Sequence, residues 1–88
     1  MITAKEAREK SDNNSRISIK NVSNELQLKI NKATENGLFN ISDYTSLNIK
    51  QAQELQDEFI KAGYVCTVES LRHYSIYTDW QSKFNISW

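Results

Sequence analysis

Eighty-eight residues with eleven basic and eleven acidic side chains, two glycines, no proline and one cysteine describe a single small domain, since domains commonly hold roughly 100–150 residues. A chain this short buries only about 60–65% of the surface its unfolded form exposes. One cysteine excludes an intrachain disulfide and suits a reducing compartment, and no window approaches the ~18 consecutive apolar residues of a membrane span.

The chain opens on a capping box. Thr3 can accept the backbone N–H of Glu6 while the Glu6 side chain reaches back to the N–H of Thr3. Ala4 to Lys10 are good helix formers. Ser11-Asp12-Asn13-Asn14-Ser15 instead compete for local backbone hydrogen bonds, so the first helix is either continuous but weak there or broken in two. The helical period returns with Ile19, Val22, Leu26, Ile30 and Ala33 as one apolar stripe. Gly37 supplies a left-handed stop, with Leu38 as the apolar residue beyond it.

Leu38 to Tyr44 reads as a short strand with Phe39 and Ile41 on one face, followed by a turn around Asp43 to Leu47. Asn48 with Gln51 forms a second capping box and opens a helix from Ile49 to about Ala62. Its buried face is Ala52, Leu55, Phe59 and Ala62, and Gly63 is the stop, so that Tyr64 packs back on the helix. Tyr64, Cys66 and Val68 then alternate with Val65, Thr67 and Glu69. A further alternating run spans His73 to Thr78, and Phe84, Ile86 and Trp88 alternate with Asn85 and Ser87.

These elements predict an α+β domain with two helices packed on one face of a small mixed sheet, in the order α-β-α-β-β-β. Residues 3–36 form the helical part, 38–69 a β-α-β unit whose strands run parallel, and 73–88 a C-terminal hairpin segment.

Catalytic chemistry finds little purchase. Cys66 and His73 are the only nucleophile and base of their kinds, but Cys66 shares a strand face with Tyr64 and Val68, where cysteine behaves as a small hydrophobe. A reactive thiol needs an electropositive, accessible setting, which only Arg72 offers. One cysteine and one histidine cannot make a zinc site of the Cys/His type, and both glycines serve as helix stops, leaving none for a phosphate loop. Asp57 and Glu58 fall on the solvent side of the second helix. The expectation is no enzyme, no metal and no cofactor.

Binding finds more. Tyr74, Tyr77, Trp80, Phe84 and Trp88 come from fifteen residues. A small core can absorb two or three large aromatics, but alternation sets Tyr74 and Tyr77 on different faces. Tryptophan, tyrosine and arginine are enriched at binding hot spots, which makes Arg72, Tyr74, Tyr77 and Trp80 candidate contacts. The first helix is the other candidate, through Lys20, Lys29 and Lys32. If its stripe is longer than the sheet can cover, a second copy would bury the remainder and make a homo-oligomer. Residues 1–32 carry a net +3 and residues 33–88 a net −3, a polarity able to steer a charged partner. The negative C-terminal half argues against stacking nucleic acid on its aromatics.

Met1-Ile2-Thr3-Ala4-Lys5-Glu6-Ala7, the junction Ala62-Gly63-Tyr64-Val65 and the closing Ile86-Ser87-Trp88 resemble a set of short tailed-bacteriophage proteins with a helical N-terminal half and an aromatic-rich final strand. The heavy use of asparagine, isoleucine and lysine fits the AT-rich coding of many phages, T4-like ones included. No activity attaches to that set, so the resemblance carries over no functional residue and implies only a viral origin. The segment Ser70 to Lys83 is longer here than in its simpler members.

The opening Met1 to Glu6 lacks the apolar stretch of a leader, and no membrane is expected. The function expected is a phage-encoded, non-enzymatic protein that binds a host or phage protein in the cytoplasm of the infected bacterium. A minor virion or assembly component is the alternative, and a weak nucleic-acid binder the second alternative.

Overall fold

The computed structural model describes residues 1–71 and 80–88. Helix α1 (Ala4–Glu35) runs unbroken for 32 residues, so Ser11 to Ser15 continue the helix rather than break it. Thr3 caps it by accepting the N–H of Glu6 at 3.2 Å. The reciprocal reach of the Glu6 side chain is not made, as suits a carboxylate exposed to water on the projecting end of α1.

Helix α2 (Ile49–Lys61) has the complete capping box. Asn48 Oδ1 accepts the N–H of Gln51 at 2.9 Å, and Gln51 Oε1 accepts the N–H of Asn48 at 3.1 Å. The two helices end alike, each on a glycine with positive φ, Gly37 at 74° and Gly63 at 97°. Past each glycine the chain donates back into the last turn, from Leu38 N–H to the Ala33 carbonyl at 2.9 Å and from Tyr64 N–H to the Phe59 carbonyl at 3.0 Å. This six-to-one bond with a left-handed residue inside it satisfies carbonyls that would otherwise be orphaned.

Strands β1 (Asn40–Thr45), β2 (Val65–Ser70) and β3 (Ser82–Ser87) form one sheet in the order β1-β3-β2. The architecture is α+β, as the sequence predicts, but the strand pairing differs. β1 and β2 run in the same direction on either side of a gap, and β3 fills that gap antiparallel to both. Every pairing among the described residues is therefore antiparallel, and the expected direct parallel neighbours are not formed. β3 has the cleanest alternation, with Ser82, Phe84 and Ile86 buried and the residues between them half-buried. A strand so uniformly shielded has a neighbour on each side. The strand expected at residues 73–78 lies outside the described residues.

Both helices cover one face of the sheet, α1 over β1 and α2 over β2. The covered face carries the cross-strand rows Ile41–Ile86–Cys66 and Asp43–Phe84–Val68. Ile19, Leu26 and Ile30 of α1 and Ala52, Leu55 and Phe59 of α2 close over them, with Leu47 plugging the end. Beside Leu47, the buried hydroxyls of Thr45 and Ser82 hydrogen-bond to each other, so neither is left unsatisfied. The opposite face is polar. Ser42 Oγ donates to Asn85 Oδ1 at 2.8 Å, and the Lys83 ammonium sits 5.6 Å from the Tyr44 ring centroid.

At 1.5 Å per residue, α1 is about 48 Å long, and the longest dimension of the molecule is 53 Å. The radius of gyration is 14.7 Å, against about 12 Å for a compact chain of this length. The excess comes from the start of α1. The last link to the body is Ser15, whose Oγ accepts from Gln51 Nε2 at 2.8 Å. From Met1 to Asn14 every residue is exposed except the half-buried Ala7. No helix among the described residues is long and apolar enough to cross a membrane.

Candidate functional site

Where α1 and α2 diverge above Ile19, they leave an open groove of about 490 Å³. Arg16 and Lys20, four residues apart on α1, form one wall. Glu54 and Glu58, four apart on α2, form the other. The i, i+4 spacing places each pair on one side of its helix. Among the described residues no ion pair crosses the groove, so a cationic wall faces an anionic one with both sets of charges in water. Past Ser23 and Glu58 the groove continues into a recess of about 270 Å³ over Leu55, Phe59 and Tyr64. Glu58, expected to face solvent only, thus lines a concave surface.

The second concavity is a recess of about 160 Å³ between α1 and the end of β1, where Trp80 meets Val22, Glu25, Lys29, Asp43 and Tyr44. Trp80 is 48% exposed. Lys29 forms an ion pair with Asp43. Asp43 belongs to β1 rather than to the expected turn, because the strand continues to Thr45. The pair ties α1 to the sheet, so Lys29 is engaged within the molecule rather than held open for a partner.

The candidate residues therefore fall at separate places. Lys20 opens on the α1–α2 groove, and Lys29 on the α1–β1 corner. Nine residues at 100° each put these two on opposite sides of the helix, with the buried stripe between them. Lys32 is exposed in the last turn of α1, where a cation suits the negative end of the helix dipole. Arg72, Tyr74 and Tyr77 lie outside the described residues, as does His73. Of the other aromatics, Phe84 is fully buried core. Trp88 stands edge-on to Tyr64 with centroids 6.2 Å apart, and Tyr64 stands edge-on to Phe59 at 5.6 Å. This ladder sits at the end of the sheet, and its T-shaped geometry is the favourable one for aromatic pairs.

Cys66 is 4% exposed in the middle of the core, with its thiol facing Ile41, Ile86 and the helices. Burial pushes its pKa up from the ordinary 9.0 to about 11, because a thiolate there would lose its hydration. Arg16, Glu54 and Glu58 escape the sequence reading, since nothing in a one-dimensional pattern says that these two helices diverge at this level. The stripe from Ile19 to Ala33 is covered by the body, which removes the stated basis for a second copy docking there.

No protein-family model matches the chain, and neither a curated protein nor a solved structure matches it significantly.

Proposed function

We propose that this chain is a small phage-encoded protein that acts by binding a host or viral protein in the infected cell, without catalysing a reaction. The observation that carries this reading is the groove between α1 and α2, with Arg16 and Lys20 opposite Glu54 and Glu58 and no bridge across. Charges held apart on two walls leave an incoming segment of mixed charge to pair with both, which fixes its direction as well as its position. The adjoining recess, floored by the buried Leu55 and Phe59, offers the exposed Ala62 and half-buried Tyr64 as apolar area that water leaves when the segment docks.

The non-catalytic half of the reading is supported by Cys66. Its thiol is buried and its pKa is displaced away from neutrality, the opposite of an activated nucleophile. The viral setting rests on the resemblance of the two chain ends and the Ala62–Val65 junction to short tailed-phage proteins.

The test is affinity purification from infected cells with the intact chain and with an Arg16→Glu/Lys20→Glu variant. One protein should be recovered in stoichiometric amount with the intact chain and lost with the variant. Recovery of the same partner by both would remove the groove from the reading. A measured turnover with no stable partner would end it. Mass spectrometry of purified particles separates an accessory factor from a virion component.

A further inference from the structure

Two large aliphatic side chains in the packed part of α1 stay out of the core, Ile17 at 56% and Leu28 at 69% exposure. At about 100° per residue, the buried Ile19, Leu26, Ile30 and Ala33 point within about 30° of one direction. Lys10, Ile17, Asn21, Asn24, Leu28 and Glu35, all exposed, point within about 30° of the opposite direction. Their successive spacings of 7, 4, 3, 4 and 7 residues are those of a seam along which one helix packs on another. Among the described residues these six side chains have no ion-pair or hydrogen-bond partner within the chain.

The seam is complementary to its own reverse. Laid antiparallel about a point midway between Val22 and Ser23, Ile17 comes level with Leu28, Asn21 with Asn24 and Lys10 with Glu35. Asn21 leans to one side of the line of contact and Asn24 to the other, the stagger that lets facing side chains interlock. Each contact is made twice, since residue i meets j while j meets i. We infer that a second copy of this chain docks antiparallel along this outer face of α1, with Ile17 of each copy against Leu28 of the other and Lys10 against Glu35. A parallel pair would instead set Lys10 on Lys10 and Glu35 on Glu35, like charges at both ends. In the middle the carboxamides of Asn21 and Asn24 hydrogen-bond to each other, and a polar pair in such a seam fixes register at a cost in stability.

The arrangement is sterically open. The seam faces directly away from the core, so the two bodies lie on the outer sides of the helix pair. The overlap from Lys10 to Glu35 is about 37 Å long, most of α1. Two aliphatic side chains from each copy are few for a contact of that length, so the dimer is reversible and concentration-dependent. Arg16, Lys20, Glu54 and Glu58 of the groove are not seam residues, so the dimer stands or falls independently of the function proposed above.

Sedimentation of the full chain over a wide concentration range tests it. The intact protein should shift from monomer to dimer as concentration rises. By symmetry each substitution alters two contacts, so Ile17→Ser and Leu28→Ser should each weaken the dimer at least about tenfold. Both residues lie outside the core, so the variants should fold as the parent does, which circular dichroism checks. A chain that stays monomeric up to millimolar concentration, or a Leu28→Ser variant that dimerises like the parent, overturns the proposal. Direction is read with cysteines, against a parent whose own Cys66 is buried. Lys10→Cys mixed with Glu35→Cys should cross-link on mild oxidation, and neither should cross-link to itself. Self-linking of Lys10→Cys, or no mixed product, would overturn the antiparallel arrangement.

Discussion

From Ile19 to Ala33, α1 turns Ile19, Leu26, Ile30 and Ala33 into the core. From Ala4 to Asn14 the same helix offers nothing larger than alanine on any apolar position. The backbone is continuous and the caps at both ends are sound, yet one half is held by burial and the other by little more than propensity and charge. The contrast teaches that helix geometry propagates past the point where packing stops, because each added residue gains a hydrogen bond once a nucleus exists. It also teaches that a polar, projecting half is surface by composition, with no core stripe to give up.

Truncating the packed half should have the largest effect. Leu26→Ala removes a side chain that is 1% exposed and should cost about 2–5 kcal/mol in urea unfolding. A cost near zero would mean that the body does not depend on α1 at all. Alkaline pH should act next, and on the body alone. Because the folded Cys66 pKa of about 11 lies above the ordinary 9.0, the unfolded chain releases this proton first. Stability linked to the thiol is complete below pH 9.0 and falls as pH rises towards about 11. A Cys66→Ala variant should lack that alkaline decline, and circular dichroism melts at several pH values would show it. The smallest effect belongs to the extension. Asn48→Ala, which dismantles the box of α2, should cost about 1 kcal/mol, whereas Thr3→Ala at the exposed tip of α1 should cost under about 0.5 kcal/mol. Equal costs would show that the projecting half is coupled to global unfolding after all.

The helices were readable because their signals are local. Gly37 and Gly63 with the apolar residue after each, and Asn48 with Gln51, mark boundaries that hold to within about one residue. Strand faces were readable as well, since Cys66, Phe84 and Ile86 face inward as their alternation demands. Strand order was not. A period of two states which side of a sheet a residue occupies and nothing about which strand lies beside it, so the entry of β3 between β1 and β2 had no signal. Phe39 shows a related gap. It shares the parity of Ile41 but is 70% exposed, because it lies before β1 begins and beyond the reach of the helices. As for the candidate site, the separation of Lys20 from Lys29 was available from their spacing. The facing walls of the groove were not, because Arg16 and Glu54 meet only through tertiary packing.

The central place of β3 has a consequence for biogenesis. Among the described residues β3 is the one strand to which β1 and β2 bond, so until Ser82 to Ser87 have left the ribosome the apolar rows cannot be joined across the sheet under both helices. During synthesis the joining of β1 to β2 thus waits for β3 and proceeds through contacts distant along the chain. A product that ends before Ser82 lacks the strand that joins β1 to β2, which makes it a readier substrate for the cell's proteases.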